Sequence, residues 1–376
     1  MTLRKIAELA GISVSSVSKA FSESKEISEE TKARVFRISK ELGCFDKYYK
    51  APRKQPLIAI MIPEIDSECY GIYASIFEHE LNRRGADTVV ACTRFDKDRE
   101  ARLFRELAYR MKVDGIILFG SAENIKNPDE IPLAVLASKS PPSDANADVI
   151  LSDLYPHIRS IISTVKDYGH TEVAFFGEPL TVGKLNSFKR AMRSIGLPLR
   201  EKYMLTSDKR FADAGADCMR RLLESGDPPT VIVAAYDQIA YGAMKYAREH
   251  GYKIPEDISF IGMDDITSDP YFDVPLSSVH IGYEQICGTV CDLLFARMEN
   301  RHYRLREPVA LPAHVNIRES LYKLNQVERK CERKGSLCYP CRAREATCKS
   351  APHHIPRSSY TSDLNIGQRG QSACKR

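Results

Sequence analysis

Residues 2–43 read TLRKIAELAGISVSSVSKAFSESKEISEETKARVFRISKELG, and this stretch decides the architecture of the N-terminal end. Thr2 stands where a helix cap would, ahead of Leu3–Ala10, with Ile6, Leu9 and Ala10 expected on one face. Gly11 ends that helix, because glycine tolerates the left-handed backbone a C-terminal cap requires. Ser13 caps a second short helix, Val14 to about Phe21. A third begins at Ser28, carries acidic Glu29 and Glu30 in its first turn, and stops at Gly43. Two helices around a tight glycine turn, backed by a third, form a helix-turn-helix. On the second helix Val17, Ala20 and Phe21 face inward, which leaves Val14, Ser15, Ser18 and Lys19 to face outward.

Charge agrees with that reading. Residues 1–56 carry 12 Lys/Arg against 7 Asp/Glu, whereas residues 57–324 carry 32 against 39. A basic head on an acidic body suits a polyanion at the head, since cationic side chains displace counterions from phosphates; a merely solvated surface is the alternative. The 43% hydrophobic content is that of a soluble protein, and no apolar run is long enough to span a bilayer. With no secretory leader read at the N-terminus, a cytoplasmic protein without membrane partners is expected.

After Pro56 short apolar runs alternate with amphipathic stretches. Strands are expected at 57–62, 87–92, 115–119, 133–136, 149–151, 173–176, 231–234 and 259–262. Helices are expected at 70–84, 99–111, 155–168, 184–194, 212–224 and 237–250, with a late one at 283–297 returning to the first lobe. The alternation implies parallel sheets covered on both faces; two such sheets in series, with the late helix returning to the first, would form a cleft between lobes, and open α/β sheets bind ligands at their C-terminal strand ends.

The head closely resembles that of the lactose-repressor (LacI/GalR) family of bacterial regulators, in TLRKIAELAGISVSSVSKAF and the following ISEETKARVFRISKELG. The blocks IAIMIPEI, VDGIILFGS, DYGHTEVAFFGEP, YDQIAYGAMKYAREHGYKIPEDISFIGMDD and LSSVHI extend the resemblance, in order, to about residue 324. It implies an all-α helix-turn-helix head (1–44), a linker (45–56), and an α/β core of two parallel-sheet lobes (57–324), periplasmic-binding-protein-like type I. It further implies a sequence-specific transcriptional regulator, expected to be a repressor and a homodimer, whose partners are a double-stranded DNA operator and a small-molecule effector such as a sugar.

By the same resemblance Val14, Ser15 and Lys19 stand where the family reads base edges, and Thr2, Ser13, Ser18 and Ser28 where it holds phosphates. Lys19 could donate to guanine, and Val14 could meet a thymine methyl. The resemblance places Tyr70, Asp153, Lys184, Tyr236 and Asp264 at the effector. Lys184 replaces the usual Arg, Tyr236 stands where Asn is common, and Leu154 replaces the Asn that normally follows Asp153. A carboxylate, a cation and aromatic rings suit a polyol or sugar. Asp237 and Asp265 could equally serve only to hold helices or turns. The linker departs from the family: Cys44–Pro56 lacks the Asn and the leucine wedge, leaving Tyr48 or Tyr49 as a substitute wedge or the segment as a plain tether.

Residues 325–376 are basic and rich in Ser, Pro and Gly, a composition that predicts disorder. Cys331, Cys338, Cys341 and Cys348 could offer four thiolates to zinc, but only Cys338 and Cys341 form a close pair, so the metal-free reading is preferred. The other six cysteines are scattered and are expected to act as small apolar residues. No nucleophile elbow or phosphate loop is present, so neither a cofactor nor an enzymatic activity is expected.

Overall fold

The computed structural model describes residues 2–49, 55–137, 141–151, 153–300, 303 and 314–324. The head holds α1 (Leu3–Ala10), α2 (Val14–Phe21), α3 (Glu29–Glu41) and a short α4 (Phe45–Tyr48). Gly11 adopts φ 64 and turns the chain from α1 into α2, and Ser13 Oγ accepts from the Ser16 amide at 3.0 Å. Ser28 Oγ caps α3 in the same way, from Thr31 at 3.3 Å. Thr2 occupies the cap position of α1 but makes no side-chain capping bond.

The core of the head is Ile6, Ala7, Ala10, Val17, Ala20, Phe21, Val35 and Ile38. One expectation needs correcting here, because Leu9 is 52% exposed and Ala7 is buried in its place. At 100° per residue Ala7 and Ala10 fall on one side of Ile6 and Leu9 on the other, so the narrow face excludes it. Residues assigned to the linker also join this core. Phe45 stacks on Tyr49 at 4.8 Å, Phe36 meets both edge-on, and Tyr48 lies 5.8 Å from Phe21.

The first lobe follows with β1 (Leu57–Ile62), α5 (Glu68–Arg83), β2 (Asp87–Cys92), α6 (Lys97–Arg105), β3 (Gly115–Phe119), β4 (Leu133–Ala137) and β5 (Asp148–Leu151). Its sheet runs β2-β1-β3-β4-β5, parallel throughout. The helix expected over 99–111 changes pitch: residues Glu106–Arg110 form a wider turn, closed by Met111 N donating to Glu106 O at 2.8 Å.

The second lobe contains α7 (Tyr155–Asp167), β6 (Val173–Gly177), α8 (Val182–Ile195), β7 (Met204–Thr206), α9 (Phe211–Glu224), β8 (Val231–Ala234), α10 (Asp237–Glu249), β9 (Ser259–Asp264) and β10 (Ser277–His280). The chain then forms α11 (Tyr283–Glu299) and β11 (His314–Asn316). This sheet runs β11-β10-β9-β8-β6-β7, and only β11 is antiparallel. Every residue of Val173–Phe176 is buried, as expected of a strand covered on both faces. Helix α11 returns to the first lobe, where Ile286, Val290 and Leu294 pack with Tyr73, Phe77 and Leu81 of α5.

Three strands were not anticipated, and β10 shows why. Its Ser277 and Ser278 look like turn residues in the sequence. Both are fully buried, with Ser277 Oγ donating to Arg318 O and Ser278 Oγ to Asp237 Oδ1. Internal partners let hydroxyls sit where apolar side chains normally do.

Candidate functional site

On the head, α2 presents the outward face that its periodicity predicts. Val14 is 41% exposed, Ser15 and Ser18 are exposed, and Lys19 is half-buried. The Lys19 ammonium is paired with Glu26, a contact between distant turns that no periodicity announces. Ser13 and Ser28 accept from backbone amides within their own caps, and each shares a hydroxyl–hydroxyl hydrogen bond of 2.9 Å, Ser13 with Ser16 and Ser28 with Thr31. Thr2 is exposed at the start of α1. Tyr49 donates to Glu23 at 2.7 Å, so the proposed wedge residues are engaged with the head rather than projecting from it.

The cleft is built at the C-terminal ends of the strands. After β9 the backbone turns through two left-handed residues, Asp264 at φ 104 and Asp265 at φ 52. Such strain in non-glycine residues is costly and collects at binding sites. It sets the two carboxylates to different tasks. Asp264 is 9% exposed and lies 3.4 Å from Lys184 Nζ, which also donates to Ala235 O at 2.7 Å. Burial pushes the Asp264 carboxyl upward, and Lys184 opposes that push. Asp265 instead accepts from Arg318 at 2.6 Å and Asn316 at 2.7 Å, a structural tie to β11 and the residues beyond it.

Asp237 is likewise structural. It accepts from Ser278 at 2.7 Å and from the Ile266 amide at 3.2 Å, and burial holds its carboxyl well above the usual range. A Cβ at Gly262 would lie 1.8 Å from Asp237 Oδ1, so a bare backbone is required at that place on β9.

The other expected cleft residues are distributed unevenly. Lys184 Nζ lies 5.8 Å from the Tyr236 ring centroid, and the Tyr236 hydroxyl accepts from the Phe211 amide at 3.1 Å. Tyr70 sits on the first lobe, edge-on to Phe119 at 5.7 Å and Phe95 at 6.3 Å. Asp153 is exposed and accepts from Tyr155 N at 2.9 Å, so its carboxylate is committed to the entry of α7. Lys184, Tyr236 and Asp264 thus form one group, whereas Asp153 is tied to its own turn.

Sequence reasoning missed the strongest polar feature of the cleft. Arg210, just before α9, donates to both oxygens of Glu64 on the first lobe at 2.7 Å. Its Nε donates to Glu178 at 2.9 Å. Glu64 and Glu178 are 5% and 1% exposed. Their legible signal was position, since each acid follows the C-terminal end of a parallel strand. A second link between the lobes is Ser268 Oγ donating to Glu68 at 3.1 Å. Among the described residues no group of His, Cys, Asp and Glu is arranged to hold a metal ion, and no helix is long and apolar enough to cross a membrane. The tail cysteines Cys331, Cys338, Cys341 and Cys348 lie outside the described residues. Of the six described free cysteines, Cys44, Cys218, Cys287 and Cys291 are buried as expected, while Cys69 and Cys92 are partly so.

Comparison with known proteins places this geometry. Residues 2–44 match the domain of bacterial regulatory proteins of the lacI family, and residues 162–321 match the periplasmic binding protein-like domain. The HTH-type transcriptional regulator DegA of Bacillus subtilis (strain 168) is 27% identical over 346 residues, covering 86% of this chain and 99% of DegA. The HTH-type transcriptional repressor CytR of Escherichia coli (strain K12) is 24% identical over 316 residues, covering 80% of this chain and 91% of CytR. A solved complex of the transcriptional regulator CelR with cellobiose superposes with a TM-score of 0.58 at 25% identity, over 85% of this chain and all of CelR. With a helix-turn-helix head, two parallel-sheet lobes and relatives matched over nearly their whole length, the chain belongs to the LacI family of bacterial regulatory proteins and is a DNA-binding transcriptional regulator.

Proposed function

We propose that this regulator is a cytoplasmic repressor whose DNA affinity is set by a sugar or related polyhydroxyl metabolite bound between the two lobes. The observation that carries the reading is the Lys184–Asp264 pair, held at the strand ends beside Tyr236, with Tyr70 of the other lobe near enough to feel the Asp264 charge. A cation, a carboxylate and aromatic faces suit a ligand that is polar at its edges and apolar on its ring faces. CelR, solved with cellobiose, supports the choice of ligand class, and CytR, described as a repressor, supports the sign of regulation. The cleft is read as a binding site, because its principal charges neutralise one another: Lys184 is paired with Asp264, and Arg210 with Glu64 and Glu178.

On the head, Val14, Ser15 and Lys19 would read base edges, while Thr2, Ser13, Ser18 and Ser28 would hold phosphates. The working division is a head over 1–44 with 45–49 packed against it, a linker to 56, a core over 57–324 and a tail over 325–376. A homodimer would bring two heads to two half-sites. Its support is an aromatic patch on the second lobe, where Tyr241 stacks on Phe272 at 3.9 Å and Tyr271 is 87% exposed. A cavity of about 720 Å³ adjoins the patch. Exposed apolar area of this kind marks association surfaces.

Selection of random duplex DNA on the full-length chain tests the reading. A two-fold symmetric consensus is expected, with Lys19→Ala losing more affinity for it than for unselected DNA. Enrichment of no sequence would overturn the regulatory role assigned to this face.

A further inference from the structure

Two buried polar groups flank the Lys184–Asp264 pair with hydrogen-bonding capacity that their neighbours leave unfilled. His157, in the first turn of α7, is 6% exposed, and both of its ring nitrogens are unpaired. The charged groups around it are Asp153 and Lys184. The Asp153 backbone lies nearby, yet it could engage only one of the two nitrogens. Tyr283, which opens α11 on the first lobe, is 2% exposed with an unpaired phenolic oxygen. Cys69 and Asp264 lie beside it, and a thiol is a weak partner. Each buried group left unpaired costs about 1–3 kcal/mol, and native folds tolerate few.

We propose that the effector supplies these partners through neutral hydroxyls, one meeting His157 from the second lobe and another meeting Tyr283 from the first. The inference rests on the cleft being the effector site. A hydroxyl both donates and accepts, so it satisfies either tautomer of the imidazole as well as the phenol. An anionic group is disfavoured on two counts. Burial lowers the tendency of His157 to become a cation, and the carboxylates of Glu64 and Glu178 outnumber the single guanidinium of Arg210. The site therefore selects uncharged polyhydroxyl ligands over phosphorylated or acidic ones, and His157 and Tyr283 determine that specificity.

The test uses the full chain with glucose, sucrose, cellobiose and glucose 6-phosphate as probes, by thermal shift and then calorimetry. The variants are Tyr283→Phe, His157→Phe and His157→Gln. A neutral sugar is expected to bind the unmodified chain, with affinity falling about ten-fold or more in both Phe variants, a loss of about 1.4 kcal/mol. His157→Gln should recover part of the affinity. The unliganded Tyr283→Phe chain should melt no lower than the parent, because removing an unpaired hydroxyl removes a cost. Unchanged affinity in both Phe variants overturns the proposal, as does preference for glucose 6-phosphate. If no sugar binds, the sugar reading of the function fails, and the unliganded melts decide the present inference alone. A fall of about 5 °C or more in Tyr283→Phe would then mean the hydroxyl is already satisfied, overturning it; an unchanged or raised melt supports it.

Discussion

Arg210 and Glu64 face each other across the cleft, with two guanidinium nitrogens each 2.7 Å from a carboxylate oxygen. The pair joins the second lobe to the first, and Glu178 holds the same guanidinium from behind at 2.9 Å. Bidentate pairing of this kind fixes direction as well as distance. Arg210 is itself positioned by its neighbour: Phe211 has φ 54 and donates its amide to Tyr236, a residue of the expected ligand group. The contact between the lobes is therefore linked, through the Phe211 amide and Tyr236, to the proposed effector site.

Arg210→Ala is expected to loosen the lobes and lower stability by about 2–3 kcal/mol, since two buried carboxylates lose a charged partner. Small-angle scattering of the unliganded variant should show a larger radius of gyration. An unchanged radius would mean that the remaining contacts suffice to hold the lobes.

Removing the partner of Lys19 should act in the opposite direction on the head. Glu26 is exposed and pairs with Lys19 on the face proposed to meet DNA. In Glu26→Gln the ammonium is released and a repelling carboxylate disappears, so DNA affinity at low salt should rise several-fold. Melting temperature should barely move, because exposed pairs contribute about 0–1 kcal/mol. Fluorescence anisotropy across a salt series would check both points.

The packing of α9 on α10 depends on two glycines that face each other's helix. A Cβ at Gly215 would lie 1.9 Å from Ile239 O, and one at Gly242 would lie 1.7 Å from Ala212 O. Both obstacles are backbone atoms and cannot swing away. Gly215→Ala or Gly242→Ala should each cost about 1–3 kcal/mol or more by overpacking, measurable as a fall in the urea midpoint at unchanged slope.

Acid stability should report on His170. Its ring is 1% exposed, bonded to Thr230 at 2.9 Å and to Tyr322 O at 3.0 Å. Burial holds its pKa down to about 4. The unfolded chain therefore takes up this proton first, and the stability it contributes is full above about pH 6.5 and lost as pH falls toward 4. The loss should reach about 2 kcal/mol by pH 5. Asp237, Asp264 and Asp269 act in the opposite sense, because burial raises their pKa values, Asp269 to about 7. The difference between the parent and His170→Gln at pH 7 and pH 5 isolates the imidazole. An equal pH dependence in both proteins would exclude it as the source.

Much of this organisation is legible along the chain. Gly11 needs a left-handed turn whatever surrounds it, and the caps at Ser13 and Ser28 follow from local hydrogen bonding. Runs such as Val173–Phe176 show a doubly covered strand because both faces must be apolar. Strand β10 escaped notice because its hydroxyls find partners 41 residues away in the chain, at Asp237 and Arg318.

By itself, the sequence determined the helix-turn-helix, the helix-covered parallel sheets and the outward face of α2, because these follow from periodicity and local backbone preference, while the two-lobed arrangement was implied by the resemblance of its blocks to the family core. Tertiary structure alone decided that Lys184 meets Asp264 while Asp265 is turned to Arg318, that Arg210 spans the lobes to Glu64, and that His157 and Tyr283 are buried with hydrogen-bonding capacity left unfilled. Those relationships join residues 53 to 146 positions apart. They depend on which groups the folded backbone brings within about 3 Å, the range in which hydrogen bonds act and over which one-dimensional pattern carries no information.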